Sequence, residues 1–358
     1  MNYLDTYEDL RNSDDCFDYS LSFNKDSALF QFICDIDMRD VTIALNKYPS
    51  NYYNEFKNLL CLHYGPNSFM LGSGSENLIW HINRLILRNK KVGVLLPNFY
   101  RIYQTLKKPI FIDVPYRDDN AILHIEKLID AARRENFEAV WISNPNPITG
   151  KAYYARDIIQ LAESFPKTLF VIDEASIEAT MEPEKYSVLS MANNYRNLLV
   201  IRSFSKLYGL PGMRLGYVAG KKELIDKLEG NAQVFPVTGL SILIAKKIFE
   251  NKVIFDNIRK KINFNRSKIS TLLQNRLHFY SLSSLTQTIV IGCNSLNMDL
   301  WTCLKEEGVL GLSLKNERGI GSLNSVRLTI HSDEKSFLHL YQAVEKVVQK
   351  SFFEATGE

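Results

Sequence analysis

Several features that would settle a function outright are missing from this chain. Its 358 residues hold five cysteines, at positions 16, 34, 61, 293 and 303, and no CxxC pair. That number and spacing exclude a disulfide framework and read as thiols kept reduced and packed as small hydrophobes. No stretch approaches the roughly 20 apolar residues that cross a bilayer. Residues 1–15 carry five acidic groups and no apolar run, so no secretory signal is expected and the reading is soluble and cytoplasmic. Charge of one sign is also lacking: 43 Lys plus Arg against 40 Asp plus Glu leave a net +3. Without a global field, neither nucleic acid nor an anionic membrane is an expected partner. His63, His81, His124, His278, His331 and His339 show no metal-ligand spacing, and no metal is expected. Repeats, low-complexity tracts and charge blocks are absent too.

What is present is ordinary globular composition, 46% hydrophobic and 23% charged. The length suits two or three domains. Short apolar runs at 92–96, 139–143, 169–172, 198–201 and 215–219 predict strands buried on both faces. Helical patterns at 76–88, 100–107, 125–134, 154–164 and 187–193 lie between them, which is α/β alternation. From 221 the pattern changes to much helix up to 276, strand-like 288–292, helical 298–307, strand-like 325–330 and a closing helix over 333–350. The expected division is a large α/β domain over 46–255 and a smaller α+β domain from 1–45 and 256–358.

In open α/β sheets ligands bind beyond the carboxyl ends of the strands. Those ends are polar here: Pro97-Asn98-Phe99-Tyr100, Asn144-Pro145-Asn146-Pro147-Ile148-Thr149-Gly150, Asp173-Glu174-Ala175-Ser176, and Ser203-Phe204-Ser205-Lys206 with Arg214 beyond. Leu71-Gly72-Ser73-Gly74-Ser75-Glu76-Asn77 precedes a helix. It is not a dinucleotide fingerprint, because the third glycine would fall on Asn77, and it lacks the Gly-Lys of a P-loop. Its small residues suit anion capture by the free N–H groups of Ser75 and Glu76 at a helix N-terminus. A simple capped helix start is the plainer alternative. Two hydroxyls, Ser203 and Ser205, with the Arg214 guanidinium would make a cradle for a phosphate. Asp173 ends an apolar strand, where a carboxylate is costly unless a cation pairs with it. Arg327, alone in an alternating apolar strand, needs an anion for the same reason.

Taken in order, these motifs resemble the fold-type I pyridoxal-phosphate enzymes, and among them the class I/II aminotransferases of the histidinol-phosphate aminotransferase type. The resemblance runs from Tyr48-Pro49 to Arg327. It implies a large mixed-sheet α/β domain with a smaller α+β domain, and pyridoxal 5'-phosphate as cofactor. It also implies that Lys206 forms the internal aldimine and then serves as base and acid. Burial near other cations would suit a lysine to that work by lowering its pKa. The same resemblance gives Asp173 to the pyridine nitrogen, Asn146 (or Asn144) to the phenolic oxygen, and Phe99 (or Tyr100) to the pyridine face. Ser75, Glu76, Ser203, Ser205 and Arg214 go to the phosphate, and Arg327 to the substrate α-carboxylate. Tyr48 would reach the cofactor phosphate of a neighbouring subunit, which requires a homodimer with a shared active site. A surface turn is the alternative for Tyr48.

Four places depart from the family pattern. Ser176 stands where many relatives have tyrosine. The loop Asn144–Gly150 differs from Asn-Pro-Asn-Asn-Pro-Thr-Gly. The stretch Gly308-Val309-Leu310-Gly311-Leu312-Ser313 lacks the arginine that contacts the substrate phosphate in histidinol-phosphate enzymes, with Lys315 and Arg318 nearby, and Phe23-Asn24-Lys25-Asp26 replaces an Asn-Glu-Asn-Pro signature. The expected function is a transaminase acting on an α-amino acid or close analogue, with amino and keto acids as small-molecule partners. The alternatives are a decarboxylase resembling threonine-phosphate decarboxylase, an amino-acid oxidase or hydroxylase, and a pyridoxal-phosphate-binding regulator without turnover.

Overall fold

The computed structural model describes residues 17–114, 120–274, 276–295, 298–320 and 323–356, without the side chains of 50–52 and 351–356. Cys16 and residues 1–15 lie outside the described residues. In chain order the strands are β1 Phe17–Asp18, β2 Ser68–Gly72, β3 Val92–Leu96, β4 Pro109–Asp113, β5 Ala139–Ser143, β6 Leu169–Asp173 and β7 Leu198–Ser203. There follow β8 Gly216–Gly220, β9 Phe279–Ser281, β10 Thr288–Cys293, β11 Val309–Leu310, β12 Leu312–Ser313 and β13 Ser325–Thr329.

Every residue of β3, β5, β6, β7 and β8 is buried, as uninterrupted apolar runs require when both faces of a sheet are covered. These strands join β2 and β4 in a seven-stranded sheet of order β2-β8-β7-β6-β5-β3-β4. Only β8 runs against its neighbours. The carboxyl ends of β3, β5, β6 and β7 therefore meet along one edge, with Ser143 beside Asp173 and Asp173 beside Ile201. Crossover helices include Gly74–Leu85, Glu126–Glu135 and Ala155–Ser164, each starting within two residues of its expected position.

The sequence pattern misses β2 and β4, the two edge strands. Pro109–Asp113 is half-exposed over most of its length, and its apolar run, Ile110-Phe111-Ile112, is only three residues long. The helix expected at 187–193 is a short helix, Pro183–Tyr186, followed by a 3₁₀ turn, Leu189–Asn194. The helical stretch 221–276 divides into Lys222–Glu229, Gly239–Glu250 and Lys252–Leu273.

A second, antiparallel sheet has the order β12-β13-β10-β9, and β1 pairs in parallel with β11. The amino-terminal segment then runs on beside β13: Thr329 N–H donates to Tyr19 O (2.9 Å), and Ser332 N–H to Asn24 Oδ1 (2.9 Å). Helices Lys252–Leu273 and Glu334–Thr356 pack on each other. Among the described residues no helix is long and apolar enough to cross a membrane.

Candidate active site

A cleft of about 410 Å³ opens beyond the carboxyl ends of the parallel strands. The loops after β3, β5, β6 and β7 form its floor. Ser20–Phe23 and the loop between β12 and β13 form the opposite wall.

Asp173 and Lys206 meet there. Asp173 is the last residue of an entirely buried strand, and its Oδ1 accepts from Ala175 N–H (3.0 Å). Burial raises its carboxyl from 3.8 to about 6, against the hydrogen bond from Ala175 and the charge of Lys206. For Lys206, burial first and the Arg327 guanidinium second lower the amine from 10.5 to about 8, with Asp173 pulling the other way. A free amine is thus accessible at neutral pH. The turn that presents Lys206 is held by its own carbonyl, which accepts from Asn24 N–H (3.0 Å) and Gly209 N–H (3.1 Å).

Glu174, one residue past Asp173, points to the other side of the sheet end. It is fully buried and takes Nε–H of Arg202 (3.0 Å), Ser187 Oγ (2.7 Å) and Val188 N–H (2.7 Å). Arg202 also pairs with Glu178 and lies over the Tyr64 ring, 4.9 Å from its centroid. Removing one member would leave an uncompensated buried charge. This network braces the Asp173 turn, and sequence patterning did not single it out.

The end of the cleft beside Arg214 is built on the helix Gly74–Leu85. Gly74 has φ +75, which L side chains rarely adopt, and a Cβ there would lie 2.5 Å from Arg214 Nη2 and displace the guanidinium. Arg214 Nη2 donates to Ser73 O (3.2 Å) and Nη1 to Pro211 O (3.1 Å). Ser75 and Ser205 line the cleft beside it. Ser203 stands behind: its Oγ bridges to Ser205 Oγ (3.0 Å) and does not line the cleft. The Glu76 carboxylate pairs with Arg101, whose Nε lies at 2.6 Å, leaving the backbone end of this residue to the cleft. Serines, an arginine and a helix N-terminus converging on one point fit a phosphate.

At the far end Arg327 is buried in β13. Nη1 donates to Pro147 O (3.0 Å) and Nη2 to Ser20 O, which fixes the guanidinium against the cleft.

The sequence profile described as aminotransferase class I and II matches residues 39–344. The chain belongs to the class I and II aminotransferases. It is 24% identical over 295 residues to the histidinol-phosphate aminotransferase of Halalkalibacterium halodurans, covering 81% of this chain and 78% of the other. The backbone of this aminotransferase is similar to that of histidinol-phosphate aminotransferase from Sinorhizobium meliloti in complex with pyridoxal-5'-phosphate, with TM-score 0.78 and 20% identity over 98% of this chain and 95% of the other. It is also similar to L-threonine-O-3-phosphate decarboxylase from Porphyromonas gingivalis, with TM-score 0.74 and 19% identity over 93% and 99% of the two chains. The family is pyridoxal-phosphate dependent, so pyridoxal 5'-phosphate is the cofactor of this enzyme, a transaminase of fold type I.

Within the aminotransferase the expected residues fall into two groups. Ser75, Glu76, Phe99, Asp173, Ser205, Lys206, Arg214 and Arg327 all line the cleft, as do Tyr100 and Ser176. Asn146 does not. Its Nδ2 donates to Pro97 O (2.7 Å), and its Oδ1 accepts from Ile148 N–H and Thr149 N–H (both 3.0 Å), so the side chain shapes its own loop. Asn144 is equally occupied, donating to Tyr153 O and Tyr186 O and accepting from Tyr153 N–H. Pro145, Pro147 and Ile148 form the wall instead. Asn98, which sequence reading passed over, does reach the cleft: its Oδ1 accepts from Ser143 Oγ (2.7 Å) and Phe99 N–H (2.8 Å). Tyr48 lies away from the cleft, 82% exposed and stacked on Phe235 at 5.5 Å.

Neither basic residue noted near the substrate end lines the cleft. Lys315 Nζ turns to Asp299 (3.8 Å), and Arg318 lies over the Phe111 ring at 4.3 Å. Glu317, between them, does line it.

Proposed function

We propose that this enzyme moves an amino group between an α-amino acid and an α-keto acid, with Lys206 as the amine that carries the cofactor and the proton. The observation that carries the reading is the meeting of Lys206 and Asp173 in one cleft, with Arg214 at one end and Arg327 at the other. The cofactor's phosphate would be held by Ser75, Ser205, Arg214 and the N–H groups at the start of helix Gly74–Leu85, with Ser203 orienting Ser205. Phe99 would stack on its ring. Asp173 would hold the proton of the pyridine nitrogen. When bound, pyridoxal phosphate supplies a cationic conjugated ring that accepts the electron pair of the bond broken at the substrate Cα.

The protein's own part is positional. Arg327 would grip the α-carboxylate in a two-point fork and so fix the Cα in reach of Lys206. With its pKa near 8, about a tenth of Lys206 is the free amine at pH 7, against well under a thousandth for an ordinary lysine. That amine can take a proton at Cα and give it back. Asn146 and Asn144 are spent within their loop, so we assign neither to the phenolic oxygen. Tyr48 belongs to the reading only through a homodimer, in which the partner's copy would approach the phosphate. The same reading divides the chain into a cofactor-binding part, 46–255, and a substrate-facing part from 1–45 and 256–358. The bonds of Tyr19 and Asn24 to the β13 region support that division. The reduced thiols and even charge support a cytoplasmic setting.

The test is direct. The purified protein should carry a visible band that borohydride traps, and Lys206→Ala should lose it, with turnover falling by about a hundredfold or more. A colourless protein that binds no pyridoxal phosphate overturns the reading. Scoring amino acids for pyridoxamine phosphate, carbon dioxide and oxygen uptake separates transamination from decarboxylation and oxidation.

A further inference from the structure

With a cofactor and a substrate α-carboxylate in place, one carboxylate at the substrate end of the cleft has no counterpart. Among the described residues lining it the cations are Lys206, Arg214 and Arg327, and the carboxylates are Glu76, Asp173 and Glu317. Glu76 is paired with Arg101. Under the proposed function, Arg214 faces the cofactor phosphate, Asp173 the pyridine nitrogen and Arg327 the α-carboxylate. Glu317 is left over. Its carboxylate accepts no hydrogen bond and forms no ion pair with another described residue, although it feels the Arg327 charge. Burial raises it to about 7, against that charge. The side chain is only partly buried and opens into the cleft, where a ligand can meet it.

The segment Leu314–Ile320, which carries Glu317, is seated on the loop after β3. Gly319 has φ +88, and a Cβ there would lie 2.7 Å from Leu96 Cβ and 3.0 Å from Pro97 N. Glu317 N–H donates to Leu314 O (3.0 Å), and Ile320 N–H donates to Glu317 O (3.1 Å). The two basic neighbours point elsewhere, Lys315 to Asp299 and Arg318 to Phe111. A phosphate or carboxylate on the substrate side chain would meet a like charge here instead of a cation. Beside it Leu21, Phe23, Pro147, Ile148 and Leu312 offer apolar surface that suits a methylene chain.

We propose that Glu317 recognises the far end of the substrate side chain, and that the amino donors of this enzyme are amino acids ending in a cationic group, an amine or guanidine on an aliphatic stem. The proposal rests on the assignment of Arg327 to the α-carboxylate. It sets this chain apart from an enzyme for phosphorylated substrates by a carboxylate in the wall, not merely by a missing arginine. An ionised Glu317 facing an ammonium makes a charge-assisted bond in a poorly hydrated site, where such bonds are strong.

Lysine and norleucine differ here only in the terminal amine. Titrating the holoenzyme with each, and following the band of the bound cofactor, gives two apparent affinities. The expected result is lysine or arginine favoured over norleucine by about tenfold or more, with glutamate and O-phosphoserine weaker still. In Glu317→Gln the lysine-to-norleucine ratio should collapse to within about twofold, and in Glu317→Lys the preference should turn toward glutamate. Equal affinity for lysine and norleucine in the unmodified enzyme overturns the proposal without any variant; so does a preference for glutamate or O-phosphoserine, or a ratio that survives Glu317→Gln. If lysine shifts the band and releases carbon dioxide without pyridoxamine phosphate, transamination falls while the ratio still judges Glu317. If no amino acid shifts the band, both readings fall.

Discussion

An ammonium at Lys206 and a carboxylate at Asp173 each lose hydration on folding, and their titration reports that cost. Lys206 titrates near 8 in the folded chain and 10.5 unfolded, so between those values the unfolded chain binds more protons and stability rises with pH. Asp173 titrates near 6 folded and 3.8 unfolded, so there the folded chain binds more protons and stability falls as pH rises. In cofactor-free protein, Lys206→Met should therefore raise stability at pH 7 by on the order of 2 kcal/mol. The gain should shrink toward pH 10. Asp173→Asn should be stabilising at pH 7 and indifferent below pH 4. The two lie in each other's field, so the double variant is needed to apportion them. Urea unfolding at several pH values measures all three, and a Lys206→Met gain that persists undiminished at pH 10 contradicts the account. These two residues were legible in the sequence because each ends, or follows, a strand that its own apolar run declares. The Asn146 amide turns into its own loop, a direction that a motif, which states only which residue is present, does not carry. Glu317 left no signal: one acid in a polar loop looks like any solvated one until the chain is folded.

The central strands were legible because burial on both faces imposes an unbroken apolar run. The edge strands β2 and β4 were not, since their apolar runs, Phe69-Met70-Leu71 and Ile110-Phe111-Ile112, are only three residues long. Loops bring the site together, and two glycines locate the two ends of the cleft. Gly74→Ala would force a Cβ against Arg214 in a left-handed backbone, at about 1–2 kcal/mol of local strain. Its expected effect is weaker cofactor retention on dialysis, with the preference among amino donors intact. Gly319→Ala would instead push the Glu317 loop off Leu96 and Pro97. There the cofactor should stay bound while KM for the amino donor rises by about tenfold. Identical loss of cofactor in both variants would show that the two ends are not separable.

Across the whole molecule, Tyr48, Val234 and Phe235 leave an apolar patch in solvent, with Tyr48 82% and Val234 78% exposed. A homodimer would cover it. Light scattering should then give twice the chain mass of 41.2 kDa. Phe235→Glu should shift the protein toward monomer with loss of cofactor, because the partner's Tyr48 would no longer approach the phosphate. A monomer that retains its cofactor would refute the shared site. The wall of the cleft has its own history in time. Tyr19–Asn24 come early in the chain, yet their hydrogen-bond partners Leu310, Arg327, Thr329 and Ser332 come about 290 to 310 residues later. During synthesis at roughly 5–20 residues per second, that segment waits many seconds for its partners, while the strands of the large sheet emerge and pair. The side of the cleft built on the large sheet can thus take shape on the ribosome well before the opposite wall closes over it.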